Sequence, residues 1–114
     1  MKTLDLAHLI VEALEEKKAE EIVLMDLRNV AMFTDYFVIC TGTSDRMLDA
    51  LAEGALEKVR ETCQVKGRAQ GQSAGGWVVV DFDSVVVHCF APETRGFYKL
   101  EELWKEGKVL LKLQ

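Results

Sequence analysis

Trp77-Val78-Val79-Val80-Asp81-Phe82-Asp83-Ser84-Val85-Val86-Val87-His88-Cys89-Phe90 is the stretch on which the fold turns. Two β-branched runs flank Asp83-Ser84, a pattern that predicts strands over 77–82 and 85–90 joined as a hairpin. Asp-Ser is a weaker turn signal than Asn-Gly or Asp-Gly. With Asp83 and Ser84 as the loop, Phe82 faces Val85, Val80 faces Val87 and Val78 faces Cys89. Side chains alternate along a strand, so these six share one face. All six are apolar, which assigns that face to the core. The opposite face holds Trp77, Val79, Asp81, Val86, His88 and Phe90. Trp77 lies across from Phe90. His88 lies diagonal to Asp81, with Cα atoms roughly 7–8 Å apart, within reach of a long or bridged imidazole–carboxylate contact. This mixed face has two readings: a half-solvated sheet surface with a satisfied histidine, or a recognition surface built on a tryptophan anchor. Arg95, Phe97, Tyr98 and Trp104 in the following segment are candidates to extend it. Their spacing is equally compatible with packing on the core.

Upstream, Tyr36-Phe37-Val38-Ile39-Cys40 is apolar at every position, which predicts a central strand covered on both faces. Gly42-Thr43-Ser44-Asp45 then reads as a strand-to-helix turn with an N-cap residue. Leu48, Leu51, Ala52, Ala55, Leu56 and Val59 form the stripe of a second helix, interrupted by Gly54. Nearer the N-terminus, Leu6, Ile10, Ala13, Leu14 and Lys17 predict an amphipathic helix over about 3–17, with Lys17 and Lys18 at its cation-favouring end. Ile22–Leu27 predicts a strand, and Asn29–Asp35 a connection. Gln64–Gly76 carries half of the chain's 8 glycines and predicts an exposed, mobile connection. Pro92 predicts the start of a third helix running to about Lys105, with Gly107 as its stop. Val109–Leu113 predicts a last strand. The order α-β-β-α-β-β-α-β gives an α/β class: one compact domain over 1–114, a mixed five-stranded sheet covered by helices.

The 114 residues include 14 Lys plus Arg and 19 Asp plus Glu, a net charge of −5. Such a balance lacks the electrostatic footprint of a protein that grips nucleic acid phosphates and suits a positively charged partner. No apolar run is long enough to span a membrane. Three cysteines, Cys40, Cys63 and Cys89, suit a reduced compartment better than a disulfide framework. The N-terminus resembles neither a secretory signal nor a transit peptide, so a cytoplasmic protein is expected. His88 and Cys89 are adjacent on a strand and point to opposite faces, and no zinc-type spacing occurs, so neither metal nor cofactor is expected. A Cys-His-Asp nucleophilic site requires Cys40 or Cys63 beside His88, and Cys40 reads as an inert core thiol. Two weak signals point instead to magnesium-dependent nucleotidyl transfer or nucleotide binding. Gly42-Thr43-Ser44 with Arg46 is a possible phosphate cradle, and Asp81 with Asp83 a possible carboxylate pair. A helix cap and a turn residue explain the same positions locally.

Three segments together resemble the iojap-like ribosomal silencing factors, the RsfS family. The first is Asp35-Tyr36-Phe37-Val38-Ile39-Cys40-Thr41-Gly42-Thr43-Ser44 with Arg46. The second is Trp77-Val78-Val79-Val80-Asp81 with Val85-Val86-Val87-His88. The third is Arg95 with Tyr98-Lys99-Leu100-Glu101-Glu102-Leu103-Trp104. Two departures stand out: Asp83-Ser84 where the family usually has Gly-Asp at the turn, and Met47 where glutamine or histidine is usual. The resemblance implies a fold related to nucleotidyltransferases but without their catalysis, and a homodimer. It also implies binding to the large ribosomal subunit through that subunit's ribosomal protein fourteen. The bound factor then blocks subunit joining and silences translation when nutrients are scarce. The implied binding residues are Trp77, Asp81 and His88, extended by Arg95, Tyr98, Leu100, Leu103 and Trp104.

Overall fold

The computed structural model describes residues 2–114. Its elements are α1 (Thr3–Glu16), β1 (Glu20–Asp26), β2 (Tyr36–Thr41), α2 (Asp45–Cys63), β3 (Arg68–Gln70), β4 (Trp77–Asp81), β5 (Val85–Phe90), α3 (Pro92–Tyr98), α4 (Leu100–Leu103) and β6 (Lys108–Leu113). The strands form one mixed sheet in the order β3-β4-β5-β2-β1-β6. Only β2 and β5 pair in parallel, with Tyr36 beside Val85 and Thr41 beside Phe90. The other pairs are antiparallel. As the uniform apolar run predicts, β2 is central and buried at all six positions. No helix among the described residues is long and apolar enough to cross a membrane.

The hairpin register is the one the alternation predicts: Val78 pairs with Cys89, Val80 with Val87 and Trp77 with Phe90. Phe82 N–H donates to Val85 O at 2.9 Å, closing a two-residue loop in which Asp83 adopts φ 66°. Asp81 supports that conformation by accepting the Asp83 N–H on its carboxylate at 2.7 Å. Val78, Val80, Phe82, Val85, Val87 and Cys89 all join the larger core, which lies under α1 and α2. Ser44 caps α2 as predicted, accepting the Met47 N–H at 3.1 Å. Gly54 has a packing reason: a Cβ there would meet the Lys17 stem at 3.1 Å, where the end of α1 crosses α2.

Three expectations need correction. The sheet has six strands, not five, because β3 forms inside the segment read as a loose connection. All three β3 residues are exposed, so no apolar alternation marks them. They are strand by virtue of backbone pairing to β4, Arg68 opposite Asp81 and Gln70 opposite Val79. The rest of that segment is also built: Ser73–Gly75 is a 3-10 turn whose Ser73 hydroxyl donates to Asp49 on α2 at 3.0 Å.

The third helix is two helices. Lys99 takes left-handed angles, φ 50° and ψ 50°, and separates α3 from α4. Phe97, Leu100 and Trp104 have continuous helical spacing, so the break is invisible to periodicity. The break permits a contact that an unbroken helix does not. Arg95 forks onto the Glu101 carboxylate at 3.1 and 3.0 Å. In one unbroken helix, residues six apart lie about 9 Å apart along the axis and about 120° apart around it, beyond that fork.

Finally, the second face of β5 is not half-solvated. All six β5 residues are buried, and a second core of Val23, Met25, Leu27, Phe37, Ile39, Val86, Phe90 and Leu100 covers it.

Gly71 is the sharpest backbone requirement in the β3–β4 turn. Its φ is +90°, and an added Cβ would lie 2.5 Å from the Trp77 carbonyl oxygen. Gly71→Ala is expected to destabilise the protein by about 1–3 kcal/mol, read from urea unfolding. An unchanged midpoint would show that the turn relaxes freely.

Candidate functional site

The second sheet face is where the sequence-predicted residues meet, and α3 and α4 cover only part of it. Trp77 and His88 stand on neighbouring strands β4 and β5. The Trp77 indole N–H donates to His88 Nδ1 at 3.2 Å. No His88–Asp81 hydrogen bond forms: Asp81 Oδ1 accepts the Asp83 N–H, and His88 Nδ1 accepts from Trp77 instead. His88 is only 6% exposed, and its Nε2 has no protein partner. Burial pushes its pKa down to about 4, so the imidazole is neutral at neutral pH. A neutral ring is what lets Nδ1 accept from the indole.

The rings continue on both sides. Trp77 packs on Phe90 and on Tyr98, each with centroids 4.8 Å apart. Tyr98 meets Phe97 edge-on at 5.0 Å. On the other side Phe37 meets His88 edge-on at 4.5 Å, then Trp104 at 5.9 Å and Phe33 at 5.9 Å. Phe33 and Trp104 themselves meet at 5.6 Å. An aromatic array therefore runs across the sheet from Phe97 to Phe33. Its inner members, Phe37, His88 and Phe90, are buried, whereas Phe97 and Phe33 at its two ends are 78% and 59% exposed.

The remaining predicted residues divide by environment. Tyr98 is half exposed and Trp104 half buried on the array. Leu103 is exposed beside it in the chain, whereas Leu100 is buried in the second core. Arg95 serves the scaffold. Besides the Glu101 fork, it donates to Glu21 O at 2.7 Å and Thr41 Oγ1 at 2.8 Å, with its side chain 11% exposed. It ties the α3–α4 corner to the ends of β1 and β2, and so fixes where Tyr98 and Trp104 sit. Sequence reasoning missed Phe33 and Phe37 as members of this face, and exposed Met32 beside them in the chain. Phe37 is concealed in a uniformly apolar strand. Met32-Phe33 carried a usable signal, an apolar pair inside a short connection.

The topology separates the two nucleotide signals. Gly42 follows β2 at the end where its N–H reaches Phe90 O, whereas Asp81 pairs with Val86 near the opposite end of β5. Four residue steps of extended strand, roughly 13 Å, separate Val86 from Phe90. The cradle is also filled: a Cβ on Gly42 would meet Leu48, Leu51 and Met47, and Ser44 is spent on its cap. Carboxylates and phosphate site therefore do not converge on one reacting centre. Cys40 and Cys89 sit side by side in register and fully buried, and hydrogen bonding to Cys89 together with burial holds the Cys40 thiol well above its ordinary range. Neither thiol is placed as a nucleophile. Among the described residues, no three His, Cys, Asp or Glu side chains gather as a metal site.

Comparison with known proteins places the chain in a family and agrees with the fold. Residues 1–113 match the family described as "Ribosomal silencing factor during starvation". The ribosomal silencing factor RsfS of Halalkalibacterium halodurans is 35% identical over 108 residues, covering 94% of this chain and 92% of that one. A mouse protein named "Mitochondrial assembly of ribosomal large subunit protein 1" is 38% identical over 101 residues, 84% of this chain and 43% of its own length. A crystal structure of a protein from Chromobacterium violaceum superposes with a TM-score of 0.87 at 33% identity, covering 92% of this chain and 88% of that one.

The buried imidazole has a thermodynamic consequence. The unfolded chain binds a proton at His88 near pH 6.5, whereas the folded chain resists it down to about pH 4. The stability that His88 contributes is thus complete above pH 6.5 and is lost as pH falls toward 4. Between pH 6.5 and about 4.5 the loss is expected to be about 2 kcal/mol. Urea unfolding followed by tryptophan fluorescence measures it. His88→Gln, which keeps an acceptor and does not titrate, is expected to flatten that slope. An equal slope in the variant would place the titration elsewhere.

Proposed function

The chain belongs to the RsfS family of ribosomal silencing factors, and from this premise we propose that it is a non-enzymatic steric repressor of translation. Residues 1–114 act as one domain, in the cytoplasm and as a homodimer. The protein docks on the large ribosomal subunit through that subunit's ribosomal protein fourteen. Once docked, it occupies space the small subunit needs, and translation falls when nutrients are limiting. The observation that carries the docking reading is the continuous aromatic array with its two exposed ends. Aromatic side chains bring large contact area at a low cost in lost rotamers, which is why they dominate protein interfaces.

In this reading Trp77 and Tyr98 form the anchor, and His88 holds Trp77 through its indole N–H. Asp81 lies at the acidic rim, and Leu103 adds exposed apolar surface. Trp104 backs Phe33, while Arg95 and Leu100 hold the α3–α4 corner against the sheet. The net charge of −5 supports a cationic ribosomal protein as partner, because opposite fields raise the encounter rate. The mouse relative's name refers to the large subunit and points the same way.

Co-sedimentation with separated subunits and with joined ribosomes tests the reading. Binding to large subunits, and none to small subunits or joined ribosomes, is the expected result. Trp77→Ala and Tyr98→Ala, checked for folding by circular dichroism, should each weaken binding by about 30-fold, the equivalent of about 2 kcal/mol. Folded variants that pellet with large subunits as the parent does would remove this face from the interface.

A further inference from the structure

We infer that Met32 and Phe33 form a second anchor on this docking face, seated in an apolar hollow of the same basic large-subunit protein; the inference rests on the docking function proposed above. Met32 is 104% exposed and Phe33 59% exposed, adjacent at the tip of the connection between β1 and β2. The whole of Met32 and more than half of the Phe33 surface are held in water, where they add nothing to the core. Their placement calls for a use.

The tip is presented by a fixed base. Leu27 N–H donates to Asp35 O at 2.8 Å and closes the connection. Val30 and Ala31 N–H both donate to Leu27 O, at 3.0 and 2.9 Å, which winds its first half into a turn. Asp35 and Tyr36 N–H donate to Ser84 O in the β4–β5 loop at 3.0 and 3.1 Å, tying the connection to the hairpin. Val30 and Ala31 pack on the second core, and the Phe33 ring rests against Phe37 and Trp104. The backbone is thus ordered before any partner arrives, which lowers the entropic cost of docking. Met32 adds a flexible, polarisable side chain that adapts to an irregular hollow.

Two features select a basic partner over a second copy of this acidic chain. First, the chain as a whole carries a net charge of −5, so a second copy meets like charge whereas a basic surface meets the opposite sign. Second, the tip is joined to the Trp77–Tyr98 anchor by an unbroken series of ring contacts through His88 and Phe37. One partner surface therefore meets both.

Met32→Ser tests the inference, because truncating a fully exposed side chain leaves the fold intact. Affinity for purified large ribosomal subunits is measured by biolayer interferometry, and self-association by sedimentation velocity. Met32→Ser is expected to bind at least about tenfold more weakly, with self-association and unfolding midpoint unchanged. Met32→Leu, which restores apolar bulk, is expected to return to within about twofold of the parent. Parent-like binding by Met32→Ser overturns the inference. Weakened self-association with unchanged subunit binding also overturns it and assigns the tip to a second copy. Failure of the parent chain itself to bind large subunits is a separate outcome: it removes the docking function, and this inference with it.

Discussion

Parallel pairing of β2 with β5 is the constraint on which the rest of the structure depends. Each strand belongs to an antiparallel set, β6-β1-β2 on one side and β5-β4-β3 on the other, and this is the one ladder that joins the sets. A parallel pair cannot be closed by a tight turn, so the chain must cross over, and α2 makes that crossing. The crossing places α2 beside α1 on one sheet face. It also makes β2 and β5 the two central strands, with both faces needing cover. Their twelve residues are buried for that reason, and His88 is buried among them although it is polar.

The two faces are covered unequally, and the inequality is what leaves the aromatic array partly exposed. One face lies beneath 14-residue and 19-residue helices that bury most of their apolar stripe. The other receives a 7-residue and a 4-residue helix. Pieces this short do not hold themselves in place by helix formation. Arg95 supplies the attachment, with four donated hydrogen bonds shared among Glu101, Glu21 and Thr41. Such a guanidinium fork fixes orientation as well as distance. The short cover leaves the ends of the aromatic array exposed, and the Arg95 tie keeps the cover from drifting across it.

Most of this was legible in the sequence where burial imposes a period. The 3.6-residue stripe of α2, the alternation of Val78 to Cys89 and the uniform run of β2 each follow from which side chains must leave water. What was not legible follows from interactions without a period. β3 is three exposed residues held by backbone bonds alone. The break at Lys99 accompanies the Arg95–Glu101 contact, which no helical period announces. The partner of His88 was misread because strand geometry places both Trp77 and Asp81 diagonal to it. Asp81 turns to the Asp83 N–H, and Trp77 alone bonds the imidazole. Residue identities on the face were therefore readable from alternation, while their pairing was not.

The choice of Trp77 over Asp81 as the partner of His88 shapes what the face can do. A carboxylate beside the imidazole would favour a protonated ring and bring charge into a desolvated site. An indole N–H suits the neutral ring, which burial already enforces by pushing the His88 pKa down to about 4, and the face stays apolar. The single bond also fixes the indole edge, so Trp77 is held against Phe90 and Tyr98 before contact with a partner. Charge is kept to the margin, at Asp35, Asp81 and Asp83, where it remains solvated and acts over distance. That division suits the docking role proposed above: marginal charge accelerates encounter with a basic protein surface, while a preordered apolar centre slows release.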